Sequence, residues 1–309
     1  MKILVLGGNG FIGSHLVDNL LFHNHDVRVY DRSEEVFRNR LEGVEYRLAE
    51  FNNRDALGDS LKEIDVVVHL ISTTSPSTSN IDPKYDIESN LIETIYLLEQ
   101  CVLKNIRKII FVSSGGTVYG EPASLPVSEL AQLNPICSYG ISKLAIEKYL
   151  FMFKKLYGLD YVILRPSNPY GERQSPYGNQ GIIPIYLGKI YNGKPLEIWG
   201  NGDASRDYIY IGDLIDALYL VIAKNTNSVV YNIGIGEGHT IDKLVEIMGK
   251  VTGQEVKKIK MDARPTDVKE ITLDINLAAR ELNLSPKVNL EEGITATWAF
   301  ICELEQKSK

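Results

Sequence analysis

Short apolar runs alternate with helical patterns over the first two thirds of the chain. Six β-branched runs are typical of strands: KILVLG, DVRVYD, VEYRLAE, DVVVHLI, KIIFVSS and YVILRPS. Helical patterns begin at about Phe11 and extend from about Tyr85 to Lys104 and from about Tyr139 to Tyr157. Because VVVHLI and KIIFV are apolar on both faces, they resemble strands of a parallel sheet covered by helices on both sides. The pattern predicts an α/β fold with a doubly wound parallel sheet.

The alternation loosens after about Pro169. A polar loop, GERQSPYGNQG, is followed by a short strand, LEIWG, and by the segment RDYIYIGD before another helix. We therefore expect two units: a first domain over residues 1–168 and a smaller α/β substrate lobe over residues 169–309. Residues from about 207 to 233 are expected to return to the first domain.

Composition narrows the class of protein. The chain has 309 residues and 44% hydrophobic content, which suits about two domains with a sizeable core. The 40 acidic residues outnumber the 33 basic ones, and no Lys/Arg cluster is available to neutralise a row of phosphates, which argues against nucleic acid. The three cysteines lack metal-ligand spacing and are typical of free thiols in a reducing compartment. We expect a cytoplasmic protein without a metal site, a signal peptide or a membrane span.

The first strand runs into a glycine-rich turn. Gly7, Gly10 and Gly13 lie between that strand and the first helix, where such glycines let the backbone approach a pyrophosphate held at the helix N-terminus. The next strand ends in Asp31, close to the offset at which an acid binds the adenosine ribose hydroxyls. A carboxylate repels a 2′-phosphate, so the turn predicts a Rossmann-type domain that binds NAD. Arg32 leaves NADP open, because it could accept that phosphate.

A tyrosine and a lysine lie four residues apart at the start of a later helix. Tyr139 and Lys143, in CSYGISK, therefore project from one helix face. A tyrosine that acts as a base near neutral pH needs its pKa lowered by about 3, which is roughly 4 kcal/mol. Lys143 and a positively charged nicotinamide ring could supply that stabilisation.

Taken in order, these motifs resemble the nucleotide-sugar epimerase/dehydratase branch of the extended short-chain dehydrogenase/reductase superfamily. The resemblance spans nearly the whole chain and rests on GGNGFIGSHL, VVHL, SSGGTVYG, YGISK, RPSNPYG, GKPLEIWGNGDASRDYIYIGDL, YNIG and ARPTDV. It implies that Tyr139 is the base and that Lys143 binds the nicotinamide ribose and lowers the pKa of Tyr139. It also implies a Ser or Thr after the fifth strand that binds the reacting sugar hydroxyl.

The segment SSGGTVYG departs from that family pattern. The usual Ser/Thr position falls on Gly115, so we expect Thr117 or Ser114 to supply the hydroxyl, with an ordered water or lost activity as alternatives. The family's 4,6-dehydratases carry an acid pair at the positions of Gly116 and Thr117, because elimination of water needs a further acid and base. Its UDP-glucuronate decarboxylases commonly carry Glu at the position of Thr117. This chain has no carboxylate at position 116 or 117, which favours a 4-epimerase.

The resemblance also implies a wider set of ligand contacts. The further cofactor contacts that it implies are Phe11, Ile12, Glu50, Phe51, Leu70, Ser72, Asn90, Ser113 and Pro166. The substrate contacts that it implies are Asn168, Gly181, Ile182, Ile198, Arg206, Arg264 and Ile271. Guanidinium groups and an asparagine amide suit a nucleoside diphosphate. Ile271 maps to a gate whose size decides whether an N-acetyl group fits.

These observations predict an NAD-dependent epimerase that interconverts UDP-hexoses at C4 through a transient 4-keto sugar. The enzyme alternatives are a nucleotide-sugar 4-keto reductase and a UDP-glucuronate-type epimerase or decarboxylase. The alternative outside enzymes is an NAD-binding sensor of the same fold. The sequence leaves open which sugar is bound and whether the nucleoside of the substrate is uridine or thymidine. The helices near residues 85–104 and 139–157 resemble those that pair between subunits in this superfamily, which implies a homodimer.

Overall fold

A computed structural model describes residues 1–262 and 268–307 of the chain. The strands are β1 (Lys2–Leu6), β2 (Asp26–Asp31), β3 (Val44–Leu48), β4 (Val66–His69), β5 (Lys108–Val112), β6 (Asp160–Pro166), β7 (Asn168–Tyr170), β8 (Leu196–Trp199), β9 (Ser205–Tyr210), β10 (Val230–Ile233), β11 (Gly238–Thr240), β12 (Lys258–Met261) and β13 (Glu270–Ile271). The α-helices are α1 (Phe11–Phe22), α2 (Arg54–Ser60), α3 (Pro83–Asp86), α4 (Glu93–Leu103), α5 (Ser138–Tyr157), α6 (Ile182–Tyr191), α7 (Ile211–Ala223), α8 (Ile241–Thr252), α9 (Asn276–Leu282) and α10 (Leu290–Lys307).

Seven parallel strands form the main sheet, in the order β10-β6-β5-β4-β1-β2-β3. Buried residues of β1, β4 and β6 pack on one face with those of α1, α7 and α9. The other face packs against α2, α4 and α5. The predicted doubly wound Rossmann-type sheet is confirmed, and six of its seven strands, β1 to β6, follow the six apolar runs of the sequence.

The carboxyl ends of the central strands meet at one edge of this sheet. Their hydrogen-bond ladder continues one residue beyond the strands, with Gly7 N to Tyr30 O at 2.8 Å, Leu70 N to Leu6 O at 3.0 Å and Ser113 N to Leu164 O at 2.8 Å. Residues that directly follow β1, β4 and β5 are thereby held side by side. In open α/β sheets this edge is the place where ligands bind.

Two smaller sheets lie after β6. β9 pairs with β7 and β13 in parallel and with β11 antiparallel, while β8 pairs with β12. A separate apolar core joins α6, α8 and α10 to these strands. α7 packs on α1, and β10 is an edge strand of the main sheet beside β6.

The helical segment predicted near residues 85–104 is not one regular helix. It begins at Pro83, and a π-helical stretch, Ile87–Ile92, separates α3 from α4. Periodicity alone does not reveal the π-helical stretch, because six residues are too few to establish a period of their own. Such π-bulges occur frequently at functional sites.

Candidate active site

A cavity of about 720 Å³ lies at the carboxyl edge of the main sheet. Its walls come from the glycine turn, from the residues after β4, β5 and β6, from the start of α5 and from the smaller lobe. Of the predicted residues, those on its walls are Gly7, Gly10, Phe11, Ile12, Gly13, Leu70, Ser72, Ser113, Ser114, Thr117, Tyr139, Lys143, Pro166, Asn168 and Arg206. Residues far apart in sequence are thus brought together in one site.

The glycine turn fits a dinucleotide pyrophosphate. A Cβ on Gly13 would lie 2.1 Å from the Gly7 carbonyl oxygen, so this helix turn requires a glycine. α1 is capped by Gly10 without a side-chain hydrogen bond, which leaves the first backbone N–H groups facing the cavity edge. Backbone donors and the helix dipole together favour a bound phosphate anion.

Asp31 lies beside this turn, at the end of β2. Its Oδ2 accepts a hydrogen bond from the Asn9 backbone N–H at 3.0 Å, and Asn9 Nδ2 donates to the Ser33 carbonyl at 2.6 Å. The carboxylate is therefore fixed at the turn, in the position expected for an acid that binds ribose hydroxyls. Arg32, the residue that left NADP open, is exposed.

Tyr139 and Lys143 lie on the cavity wall in the first turns of α5. The Lys143 ammonium donates to the Val112 carbonyl at 3.0 Å and lies 5.5 Å from the centre of the Tyr139 ring. Burial lowers the pKa of Lys143 to about 8, and the nearby carboxylates of Asp86 and Glu147 oppose this fall. Burial also raises the pKa of Tyr139, so that the phenolate needs a positive partner.

The structure explains the glycine at position 115. A Cβ there would lie 2.6 Å from Leu273 Cδ1 and 3.0 Å from the carbonyl oxygens of Arg165 and Pro166. The segment after β5 therefore has no room for a side chain at this position. A Cβ on Gly116, by contrast, would make only an ordinary contact of 3.4 Å with Asn168 Oδ1.

Thr117 offers a hydroxyl at the same wall. Its Oγ1 is buried and lacks a hydrogen-bond partner among residues 1–262 and 268–307, although the residue lines the cavity. A buried hydroxyl without a partner is costly in a folded protein. The observation favours Thr117 over Ser114 as the residue whose hydroxyl binds the substrate.

Besides Asp31 and Arg32, three predicted cofactor contacts do not line the cavity: Glu50, Phe51 and Asn90. Phe51 packs in the core, 5.3 Å from the ring of His69, and the Glu50 carbonyl accepts from Tyr30 Oη at 2.7 Å. The Asn90 amide is buried and engaged with its neighbours: its Oδ1 accepts from Thr73 N at 2.9 Å. Their contacts with a cofactor stay predictions.

His69 is a packed strand histidine, as its apolar surroundings in VVVHL suggest. It is 1% exposed, and its Nε2 lies 2.9 Å from Thr94 Oγ1. Burial lowers its pKa to about 3, so that the ring is neutral and has no role as a proton donor near neutral pH.

A second cavity of about 320 Å³ adjoins the first within the smaller lobe. Asn168 and Arg206 line both cavities, and Gly181 and Ile182 line the second. Ile198 and Ile271 are buried in apolar clusters and do not line either described cavity. Arg264 lies outside the described residues. The gate role of Ile271 and the contact of Arg264 remain predictions.

Several residues of the two cavities were missed from sequence. Gln174 lines both cavities, and a Cβ on residue 181 would lie 2.5 Å from its Nε2, so the Gln174 amide fills the space that a larger residue 181 would need. Trp199 was not missed: the strand LEIWG leaves it either beside the nucleotide base or in the core, and it lines the second cavity. Asp86, behind the first cavity wall, was missed as well. The position of Gln174 in a polar loop directly after β7 was the available signal.

The described residues contain neither a cluster of metal ligands nor a membrane-spanning helix. Within the described part of the chain, no three His, Cys, Asp or Glu side chains are grouped to hold a metal ion. Over the same residues, no helix combines the length and the apolar character needed to cross a membrane.

Comparisons with known proteins show the family to which the chain belongs. The sequence model of the NAD dependent epimerase/dehydratase family matches residues 3–234. A UDP-glucose 4-epimerase of Mycolicibacterium smegmatis is 34% identical over 97% of this chain and 98% of its own, and a dTDP-4-dehydro-6-deoxyglucose reductase of Escherichia coli is 36% identical over 94% and 95%. The crystal structure of a Thermotoga maritima UDP-glucose 4-epimerase with UDP-glucose aligns with a TM-score of 0.94 at 35% identity, over 99% of this chain and 100% of that one.

Proposed function

The chain belongs to the NAD dependent epimerase/dehydratase family, and from this premise we propose that it is an NAD-dependent epimerase that interconverts UDP-hexoses at C4 through a transient 4-keto sugar. One observation carries the proposal: Tyr139, Lys143 and the unpartnered hydroxyl of Thr117 share the wall of one cavity. A 4-epimerase needs only a base, a hydride carrier and room for the ketone to turn. Carboxylates for a dehydration or a decarboxylation are missing from residues 114–117.

The glycine turn and Asp31 are the parts of this chain that hold the cofactor. NAD bound there would supply the hydride transfer from and to C4 of the sugar. We assign the pyrophosphate to the turn from Gly7 to Gly13, the adenosine ribose to Asp31 and the nicotinamide ribose to Lys143. The fixed carboxylate of Asp31 repels a 2′-phosphate, which favours NAD over NADP.

Tyr139 is the base in this proposal. It takes the proton of the sugar 4-hydroxyl and gives it back in the reverse step, so that no proton is consumed. Because burial raises the pKa of the phenol, the phenolate must be stabilised by the Lys143 ammonium. The pKa of Lys143, about 8, keeps most of this amine charged at neutral pH. The Thr117 hydroxyl forms a hydrogen bond with the same sugar oxygen, as donor or as acceptor, and fixes the orientation of the 4-hydroxyl.

The smaller lobe supplies the substrate end. Arg206 and Asn168 lie where the two cavities meet, and a guanidinium and an amide suit a diphosphate at that junction. We assign the sugar to the first cavity and the nucleoside to the second, beside Trp199. On this basis we divide the chain into residues 1–168 and 169–309, with about 207–233 counted with the first unit because α7 and β10 pack there.

We further propose a homodimer and a cytoplasmic location. Exposed apolar side chains follow one stripe of α5, at Ile141, Met152 and Leu156, and α4 beside it exposes Leu103. This spacing is that of a helix face prepared for apolar contact. The location is supported by three free cysteines, of which Cys101 and Cys137 are buried.

The test supplies the purified protein with UDP-galactose, UDP-N-acetylgalactosamine or UDP-glucuronate, without added cofactor, and follows the sugars by NMR. We expect a 4-epimer to appear from at least one of them. The variant Tyr139→Phe should lose turnover while it retains bound NAD. Retained epimerisation in that variant would remove Tyr139 from its assigned role.

A 4-keto-sugar reductase is the second candidate, and the 36% identity to a dTDP-4-dehydro-6-deoxyglucose reductase is the observation that favours it. The two reactions differ in cofactor balance. A reductase consumes reduced cofactor in step with product, whereas an epimerase turns over with none added. Unchanged UDP-sugars together with oxidation of NADH in the presence of a 4-keto sugar nucleotide would decide for the reductase.

A further inference from the structure

A buried carboxylate lies behind the catalytic wall, and none of the roles assigned above uses it. Asp86 is the last residue of α3 and is 0% exposed. The π-helical stretch Ile87–Ile92 begins directly after it. A fully buried acid is rare unless its charge is paired or fully hydrogen-bonded.

Four side chains donate hydrogen bonds to Asp86, two to each oxygen. Oδ1 accepts from the Thr74 hydroxyl and from Asn90 Nδ2, the latter at 3.1 Å. Oδ2 accepts from the Ser138 hydroxyl at 2.7 Å and from the Ser142 hydroxyl at 2.6 Å. These four donors match the acceptor capacity of an ionised carboxylate.

The two serines are the immediate neighbours of the catalytic pair. Ser138 precedes Tyr139, and Ser142 precedes Lys143. Because the serines are four residues apart, both hydroxyls lie on one face of α5 and reach the same oxygen. One atom of Asp86 thus fixes the first turns of α5 against rotation and against sliding along the helix axis.

This anchoring is needed because α5 begins without a side-chain cap of its own. Cys137, its N-cap residue, makes no capping hydrogen bond. The backbone N–H groups of Ser138 and Tyr139 instead donate to Asn80 Oδ1 at 2.9 Å and to Ser79 Oγ at 3.0 Å. The N-terminus of the catalytic helix is therefore capped by the segment that leads into Asp86.

We propose that Asp86 is the positioning residue of the Tyr139–Lys143 pair, which it orients through Ser138 and Ser142 and whose charge state it helps to set. The proposal rests on the proposed function for its kinetic consequences, but the hydrogen-bond geometry is independent of it. Asp86 does not line the cavity, and in this proposal it acts through the two serines and through its charge.

The charged and titratable groups around the pair come from four elements and from the N-cap of α5. Asp86 faces it from α3, Glu147 from α5 and His69 from β4, and Arg165 of β6 is paired with Glu147. Cys137 is the N-cap residue. Among them, Asp86 raises the pKa of both Lys143 and Tyr139. A negative charge opposes the loss of a proton from either group, so its removal lets both protons leave at lower pH.

The variant Asp86→Asn tests this role, since it preserves the shape and removes the charge. We expect kcat to fall about 10- to 100-fold, as for a small displacement of a catalytic group, and both limbs of the pH profile to move about one pH unit lower. The matched control is the double variant Ser138→Ala/Ser142→Ala, which keeps the charge. It should lower kcat without moving the limbs, while the NAD content of both variants stays that of the wild type.

A second measurement keeps the test independent of turnover. The pH dependence of Lys143 acylation by acetic anhydride, followed by mass spectrometry in the purified protein, reports the pKa of this amine whether or not a sugar is epimerised. A pKa near the wild-type value of about 8 in Asp86→Asn, or unmoved pH limbs, would overturn the proposal. A wild type without epimerase activity but with a lowered Lys143 pKa in the variant would overturn only the proposed reaction.

Discussion

At the residue scale, we propose that the hydroxyl of Thr117 takes the role that the family resemblance assigns to a Ser or Thr two positions earlier. The backbone after β5 passes so close to Leu273 and to two carbonyl oxygens that residue 115 has no space for a Cβ. Thr117, two residues on, carries a buried hydroxyl that lacks a partner among the described residues. In this proposal the site keeps its hydroxyl, and the position that supplies it changes from 115 to 117.

The substitution Thr117→Val removes this hydroxyl with little change of shape. We expect kcat to fall about 10- to 100-fold, because a hydrogen bond to a charged group contributes about 1.5–3 kcal/mol. The measurement is the initial rate of epimerisation, with bound NAD quantified in the same sample. A larger loss in the comparison variant Ser114→Ala would give the role to Ser114 instead.

At the element scale, α5 joins the catalytic residues to the sheet through a buried ion pair. Arg165 of β6 donates two hydrogen bonds to Glu147, at 2.6 and 3.0 Å, and both side chains are 4% exposed. Ser113 also donates to Glu147 at 2.5 Å. The same helix ends in a surface pair, Lys154 with Asp160, whose side chains are 46% and 57% exposed.

The substitution Glu147→Gln leaves the Arg165 charge buried without its partner. We expect the free energy of unfolding to fall by about 3 kcal/mol, as for other broken buried pairs. The control Asp160→Asn breaks the surface pair and should change it by less than about 0.5 kcal/mol. Chemical denaturation measures both, and equal effects would show that burial does not set the strength of these pairs.

At the scale of the whole molecule, the site lies between two packed units. The main sheet supplies the catalytic wall, while β9 and the loop after β7 supply Arg206 and Gln174. The two cavities meet at residues of both units. A sugar that turns between hydride transfers therefore lies against the lobe that also holds its nucleotide.

The proposed dimer makes a prediction at this scale. Wild-type protein should sediment at twice the chain mass of 34.6 kDa, and Met152→Glu with Leu156→Glu should produce monomers, because the charges would be buried between apolar helices. The control Leu130→Glu changes a leucine that is 96% exposed and belongs to neither α4 nor α5, and it should remain dimeric. A monomeric wild type at micromolar concentrations would contradict the assignment.

The sequence by itself determined the main sheet, the glycine turn and the Tyr139–Lys143 pair. These features depend on local patterns: apolar runs of strand length, glycines at a fixed spacing, and a spacing of four on one helix. Each pattern is formed by neighbouring residues, so the feature can be predicted without knowing which segments pack against it.

Only the tertiary structure decided why residue 115 is a glycine and which hydroxyl of the cavity wall is buried without a partner among the described residues. The atoms that exclude a side chain there belong to Leu273, Arg165 and Pro166, far along the chain. The same holds for Asp86, whose partners Ser138 and Ser142 lie more than 50 residues away, and for the π-helical stretch beside it. Close packing between distant segments sets these features, and no local pattern in the sequence records which segments will meet.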